Sequence, residues 1–217
     1  SWGPADVLDR IYKEHKSFKP VYFIQHIDPW DYYITGNYSA NDISAWRTYD
    51  LPFTKIVTSK WIANRIRSDY IVPMGIEVVP EIDKKYFGAT HGCPYISGVL
   101  RGIPWKGDDI IEKLAEEHPV NIFKNLSNEL YNIMLDRTDI FLSASVAEGF
   151  NLPVLEAMNH GCCVVTTITG AIPDYSGDCT AVYPVDHNVL SFSIGLQYLR
   201  ENPDEIIMMG KKAHELS

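Results

Sequence analysis

Glu148 and Glu156 stand with seven residues between them in the stretch DIFLSASVAEGFNLPVLEAMNHGCCVVTT, Asp139 to Thr167. Between them lie Phe150, Asn151 and Leu152, then Pro153, a residue favoured in a first helical turn because it has no N–H to satisfy there. The N–H groups near Phe150, Asn151 and Leu152 are then helix-start donors, which attract phosphate. A carboxylate on either side of such an anion clamp can accept hydrogen bonds from ligand hydroxyls, and the combination suits a phosphorylated sugar or a nucleotide. The spacing alone leaves a plainer account open: a glutamate in a first turn complements the helix dipole, and a loop glutamate beside glycine is usually solvated. Arg101 and Lys106 form a second group, in RGIPWKG, between an apolar run and an amphipathic one. With helix-start N–H groups they would make the other half of a phosphate clamp, although two cations on one surface loop are more often merely solvated. His26, after PVYFIQ, is open between a buried polar contact and a base facing an acceptor. Tyr32, Tyr33 and Tyr38 are open between a sugar-site lining and ordinary edge tyrosines.

The elements that must carry these residues follow from the hydrophobic pattern. Asp139–Ser143 and Cys162–Thr167 are short apolar runs without polar alternation, which predicts buried parallel strands. Between them come a polar loop, a helix through Val154–Asn159, and Gly161 at the C-cap. This is one βαβ unit, and ligands of such sheets bind at the carboxyl ends of strands, where the loop lies. Further strands are predicted at Pro20–Gln25, Thr54–Thr58, Tyr70–Val72, Tyr95–Leu100, Val120–Lys124 and Thr180–Val185. Helices are predicted at Ala5–His15, Ser44–Tyr49, Lys60–Arg67 behind an N-cap at Ser59, Asp108–His118, Asn128–Asp136 behind Ser127, up to Arg200, and from Asp204 to the end. Gly88–Cys93 is small and polar and reads as an inter-domain linker. Trp46, Trp61 and Trp105 read as packing residues, and His160 as a helix-end cation.

The chain's 217 residues suffice for one large or two small domains. Its composition, 46% hydrophobic and 22% charged, is that of a soluble globular protein, and a formal charge of −9 argues against a general nucleic-acid binder. No apolar run of about twenty residues and no secretory signal is visible. Cys93, Cys162, Cys163 and Cys179 make no CxxC or zinc pattern, so reduced thiols and a cytoplasmic setting are expected. No DxD-type pair of metal ligands occurs.

EGFNLPVLEAMNHGCCVV resembles the Glu-x7-Glu signature of retaining GT-B glycosyltransferases of the family-4 type, the glycosyl transferases group 1. Asn151 stands where that family usually has glycine, and Cys163 where it usually has proline. Asn is among the few residues that accept left-handed backbone angles. LRGIPWKG is similar to the family's GRLxPEKG segment, with Trp105 in place of its Glu. KIVTSKWIANRI and IVPMGIEVVPEIDKKYF resemble segments late in its N-terminal domain, with Met74 where Asn is common.

The resemblance implies an α/β, GT-B-like fold. Residues 89–217 would be a complete doubly wound, nucleotide-sugar-binding Rossmann-like domain, and residues 1–88 part of a second, acceptor-side one. It implies transfer of a sugar from a nucleotide-sugar donor to a hydroxyl of a carbohydrate or lipid-linked acceptor, with retention. No metal or other cofactor is expected. Arg101 and Lys106 would hold the donor pyrophosphate, with the N–H groups near Phe150, Asn151 and Leu152. Glu156 would bind the ribose, Lys124 and Asn125 would lie near the base with Phe123 and Leu126, Glu148 would contact the donor sugar, and His26 would face the acceptor. The same glutamate pair would otherwise serve a hydrolase as acid and nucleophile. A donor-binding fragment without turnover and a GT-B sugar-nucleotide epimerase are the alternatives. Peripheral membrane association is left open for a lipid acceptor.

Overall fold

In the computed structural model of the chain, residues 2–28, 40–80, 82, 84 and 86–217 are described. Tyr32, Tyr33 and Tyr38 lie outside them. The chain divides into two compact units: residues up to Gly75 together with Ala147–Phe150, and Ile76–Val146 together with Asn151–Ser217.

The first unit runs α1 (Trp2–Glu14), β1 (Val21–Ile24), α2 (Ala40–Tyr49), β2 (Thr54–Val57), α3 (Lys60–Ala63) and β3 (Tyr70–Ile71). Its strands are parallel in the order β1-β2-β3. Strand β1 buries only alternate residues, Tyr22 and Ile24, so one face meets a core completed by Ile27, Tyr49, Phe53, Val57 and Ile62. Trp46 and Trp61 pack against that core, Trp46 edge-on to Tyr49 at 5.4 Å. The helix expected over Lys60–Arg67 stops at Ala63: Ser59 caps it, accepting from Ile62 N at 3.2 Å, while Arg65 folds back over the Trp61 ring.

The second unit runs α4 (Phe87–Thr90), β4 (Ile96–Val99), a 3-10 turn (Pro104–Lys106), α5 (Asp108–Glu117), β5 (Val120–Phe123), α6 (Asn128–Arg137), β6 (Ile140–Ser143), α7 (Leu152–Asn159), β7 (Cys163–Thr166), α8 (Ile172–Tyr175), β8 (Tyr183–Pro184), α9 (Val189–Glu201) and α10 (Pro203–Leu216). All five strands are parallel, in the order β5-β4-β6-β7-β8. Every residue of β6 and β7 is buried, as a sheet covered on both faces requires. Successive residues face opposite ways. Ile140, Leu142, Cys163 and Val165 join a core with α5, α9 and Ile206, while Phe141, Cys162 and Val164 join another with Leu135, Met158 and Ile172. The sheet is therefore doubly wound.

The segment from Ile76 to Gly88, assigned from the sequence to the first domain, falls in the second unit. Tyr86 donates to Gly161 O at 2.9 Å, and the Lys84 ammonium donates to Leu135 O and His160 O at 3.1 and 2.9 Å. The stretch read as a linker at Gly88–Cys93 begins as helix α4 and is pinned by the buried Asp139 carboxylate, which accepts from Ala89 N and Tyr95 N at 3.2 and 2.9 Å. His160 does stand at the C-cap of α7, where it is buried, with Nδ1 2.7 Å from Asp136 Oδ1.

His118, just past α5, is a pH-sensitive joint. Its Nδ1 lies 3.0 Å from Arg200 Nη1, and a guanidinium only donates, so Nδ1 accepts and the ring is neutral. Its Nε2 is buried with no partner among the described residues. Burial and the Arg200 charge both push the His118 pKa down. A folded pKa below the unfolded one means the unfolded chain binds more protons, so this contribution is lost as the pH falls below about 6.5. In urea unfolding, the stability gap between wild type and His118→Gln should shrink from about pH 7.5 to 5.5; a constant gap would contradict the assignment.

Candidate functional site

In the order β5-β4-β6 the chain reverses its winding direction beside β4, and the carboxyl ends of strands at such a switch point form the ligand crevice of open α/β sheets. A cavity of about 330 Å³ lies there. Arg101 and Gly102, which follow β4, form one wall; Lys124 and Asn125, which follow β5, form another; Tyr131 of α6 and Glu156 of α7 complete it. Phe123 and Leu126 also line it. Asn125 holds φ at 53°, a left-handed conformation that turns the chain sharply between β5 and α6.

The Arg101 loop is braced from below. Asp108, in the first turn of α5, accepts from Arg101 N and Gly102 N at 3.0 and 2.6 Å. Gly107 at φ 70° closes the loop, and a Cβ there would strike the carbonyl of Ala144. Val146 N donates to Trp105 O at 2.8 Å, tying the loop to the segment after β6. The N–H groups expected to add to a phosphate clamp here are differently employed: the Arg101 and Gly102 N–H groups face Asp108, and the first turn of α5 carries Asp108 and Asp109. Lys106 ends the 3-10 turn and does not line the cavity.

At α7 the reading of Asn151 meets its geometry: φ is 65°, left-handed. The buried Asn151 side chain donates to Ser143 Oγ at 3.3 Å, and its carbonyl accepts from the Tyr175 hydroxyl at 3.2 Å. Val154 N and Leu155 N both return to Asn151 O, at 3.1 and 3.4 Å, which leaves the Leu152 N–H ahead of the intrahelical ladder. Glu156 stands beyond the first turn, which holds no acidic residue, so its carboxylate is displaced from the helix start and reaches the cavity from the side.

Glu148, Phe150 and His26 belong to the first unit. Glu148 and Phe150 are buried, and between them Gly149 lies so close to Gln25 O and the His26 backbone that no Cβ would fit. Ser59 donates to Gly149 O at 3.3 Å while capping α3. His26 is half-exposed rather than buried, its Nδ1 3.1 Å from Asp28 Oδ1, beside the Glu148 loop. The structure thus brings Arg101, Lys124, Asn125 and Glu156 into one cavity. Lys106, Asn151 and Leu152 are in the same unit outside its lining, and His26, Glu148 and Phe150 are gathered in the other unit.

Tyr131 and Asp108 were not singled out from the sequence. Tyr131 lies one turn past the Ser127 cap of a helix that follows the Lys124–Asn125 turn, and that position is the signal that would have found it. Among the described residues no group of three His, Cys, Asp or Glu side chains could hold a metal ion, and no helix is long and apolar enough to cross a membrane.

The sequence profile of the family described as Glycosyl transferases group 1 matches residues 77–201. The chain belongs to that family. A curated relative of this group 1 glycosyltransferase chain, the MMP alpha-(1->4)-mannosyltransferase of Mycolicibacterium hassiacum, is 30% identical over 107 residues, 48% of this chain and 26% of that protein. The chain therefore spans about a quarter of that relative's length. Among solved structures it is similar to sucrose-phosphate synthase from Thermosynechococcus elongatus, with a TM-score of 0.79 at 15% identity over 99% of this chain and 66% of that one. It is similar to Anabaena HepE in complex with UDP (0.71, 14%, 99% and 71%). It is also similar to WaaG, a glycosyltransferase involved in lipopolysaccharide biosynthesis (0.66, 14%, 96% and 75%). These likenesses establish the fold of the group 1 chain as α/β and GT-B-like.

Proposed function

We propose that the chain acts as a retaining, metal-independent hexosyl- or deoxyhexosyltransferase of glycan or glycoconjugate synthesis. In this reading the second unit binds a nucleotide-sugar donor and the first contributes to the acceptor side, the acceptor being a carbohydrate or a lipid-linked one. The observation that carries the reading is the cavity in which Arg101, Lys124, Asn125 and Glu156 converge at the switch point of a doubly wound sheet. A cation, an acceptor carboxylate and a base-sized recess are what a nucleoside diphosphate requires. Membership of the group 1 family and the hexose named in the mannosyltransferase relative favour a hexosyl donor. UDP and UDP-glucose, bound in the HepE structures, make a uridine nucleotide the first to try.

The chemistry asked of these residues is stabilisation of a leaving group. The bond from the sugar's anomeric carbon to the diphosphate breaks, a new one to the acceptor oxygen forms, and the acceptor's proton passes to the departing phosphate. Charge grows on the diphosphate, and Arg101, Lys106 and the Leu152 N–H are the groups assigned to it. Glu156 accepts from the ribose. Glu148 is assigned to the donor-sugar hydroxyls and to the positive charge that develops on the ring, with His26 toward the acceptor.

The test is a thermal-shift panel with UDP, GDP, ADP and dTDP and their sugar conjugates, on wild type, Arg101→Ala and Glu156→Ala. One nucleotide should stabilise the wild type by about 2–3 kcal/mol at a hundredfold excess over its dissociation constant, and neither variant. No shift with any nucleotide would overturn the reading. A shift with no sugar transfer to any acceptor would favour donor binding alone, and a changed sugar without acceptor an epimerase.

A further inference from the structure

A second cavity, of about 540 Å³, opens at the opposite end of the same sheet, where β4, β5 and β6 begin. It lies wholly within the second unit and shares no described residue with the donor cavity. Its volume is in the range of small-molecule pockets. Tyr95, Ser97 and Asp139 reach it from the starts of β4 and β6, Met134 and Thr138 from the end of α6 and just beyond, and Lys84 and Tyr86 from the segment before α4.

The donors on its floor are already spent. The three N–H groups of the Lys84 ammonium go to Leu135 O, His160 O and Cys162 Sγ at 3.1, 2.9 and 3.2 Å. The Thr138 hydroxyl donates to Met134 O at 2.8 Å, so in the 2.8 Å contact between Thr138 and Ser97 it is Ser97 that donates. The Tyr86 hydroxyl donates to Gly161 O. What remains accepts. Asp139 is only 2% exposed, and both hydrogen bonds to its carboxylate, from Ala89 N and Tyr95 N, end on Oδ2. Oδ1 and the second lone pair of Ser97 Oγ receive nothing from the described residues.

A ligand that completes this floor must donate hydrogen bonds, and Lys84 decides which kind of donor. Burial raises the Asp139 pKa and the Lys84 charge opposes the rise, so the carboxylate already has a cation close by. A second ammonium would meet Lys84 as a like charge, and an anion would meet Asp139. Neutral hydroxyls donate without adding charge. Tyr95 supplies the other half of the recognition. Its side chain is half-exposed, yet its N–H is held by Asp139 Oδ2 at 2.9 Å and its carbonyl accepts from Asp139 N and Ile140 N at 2.8 and 3.0 Å. An accessible ring on a fixed main chain, beside acceptors for hydroxyls, suits a ligand with a C–H face and a hydroxyl edge. A pyranose has both.

We infer that this cavity is a carbohydrate-binding site separate from the donor site, in which a sugar ring lies against Tyr95 and gives a hydroxyl to Asp139. The inference stands on this lining alone and does not need the nucleotide-sugar reading.

The experiment is saturation-transfer difference NMR with the methyl glycosides of glucose, mannose, galactose, rhamnose and N-acetylglucosamine at millimolar concentration, on wild type, Tyr95→Ala and Glu156→Ala. Tyr95 belongs to neither core of the unit, so its removal leaves the fold in place, and an unchanged urea midpoint checks this. Wild type should take up at least one glycoside. Tyr95→Ala should bind it about tenfold more weakly, and Glu156→Ala, altered only in the donor cavity, as wild type does. Transfer to no glycoside, or transfer that Tyr95→Ala leaves at full strength, overturns the inference. Transfer lost in Glu156→Ala places the sugar in the donor cavity and overturns it as well. Glycoside binding that persists while every nucleotide fails to bind would overturn the donor reading and leave this site standing.

Discussion

Alanine at position 101 is expected to lower kcat/KM for sugar transfer by a factor of about 10²–10³, the scale found when one preorganised donor to a developing oxyanion is removed. The size follows from the loop's construction. Arg101 leaves β4 at its carboxyl end, and its own N–H and that of Gly102 are held by Asp108 at 3.0 and 2.6 Å. The main chain is thus fixed before any ligand arrives, and Gly107 and the Val146–Trp105 bond fix the far end. A cation on a braced loop spends little on reorganisation when charge develops beside it. The Arg101 and Gly102 N–H groups, committed to Asp108, do not stand in for it. Arg101→Lys keeps the charge and loses the planar fork, so it should recover most of the binding but only part of kcat. Steady-state rates with a labelled nucleotide sugar separate the two. Equal kcat/KM in wild type and alanine variant would remove this loop from the site.

Gly210→Ala is expected to destabilise the second unit by about 3 kcal/mol, from overpacking and a lost buried hydrogen bond together. Helix α10 crosses the α7–β7 junction where Gly210 and Gly161 meet back to back. A methyl on Gly210 would strike Gly161 O, and would lie 2.6 Å from the Tyr86 hydroxyl that donates to that same carbonyl. The helix must lift or the Tyr86 bond must break, and burial leaves Tyr86 no water to turn to. Gly195→Ala in α9 is the control. Its methyl would meet side-chain atoms alone, the edge of the Tyr183 ring at 3.0 Å and Val185 Cγ1 at 3.4 Å, and the gain in helix propensity of about 1 kcal/mol should offset the strain. Urea unfolding followed by a probe in the second unit, such as tryptophan at position 105, reads both variants. A Gly210→Ala protein as stable as the control would mean that α10 does not depend on this close approach.

The βαβ centre was legible because its signals are local and agree. Apolar runs without alternation can only be buried strands, Pro153 and Gly161 punctuate the helix between them, and Asn151 supplies the left-handed turn. The observed strands are the expected ones trimmed by a residue or so, as fraying boundaries generally are, except the last, expected over Thr180–Val185 and observed at Tyr183–Pro184. What escaped the sequence is tertiary. Gly88–Cys93 looked like linker because so short a stretch carries no periodicity, yet its first residues belong to the helix Phe87–Thr90, where the distant Asp139 accepts the Ala89 N–H. Ala147–Phe150 looked like one loop with Asn151, yet it belongs to the first unit, where Gly149 fits against Gln25 for want of a side chain. Tyr131 was marked only by its place one turn past the Ser127 cap, a position whose neighbours across the cavity no local pattern names.

The tandem thiols at the head of β7 make the sheet its own stopwatch. Cys162 and Cys163 are completely buried, one in each core, and burial drives both thiols away from the reactive thiolate form, whereas Cys93 is exposed. A thiol reagent will tag Cys93 at once and reach the tandem pair only as fast as β7 is uncovered. Mass counting then distinguishes two modes of opening. Simultaneous tagging of both neighbours marks a sheet stripped on both sides, while a single tag at Cys162 or at Cys163 tells which helical layer peels first.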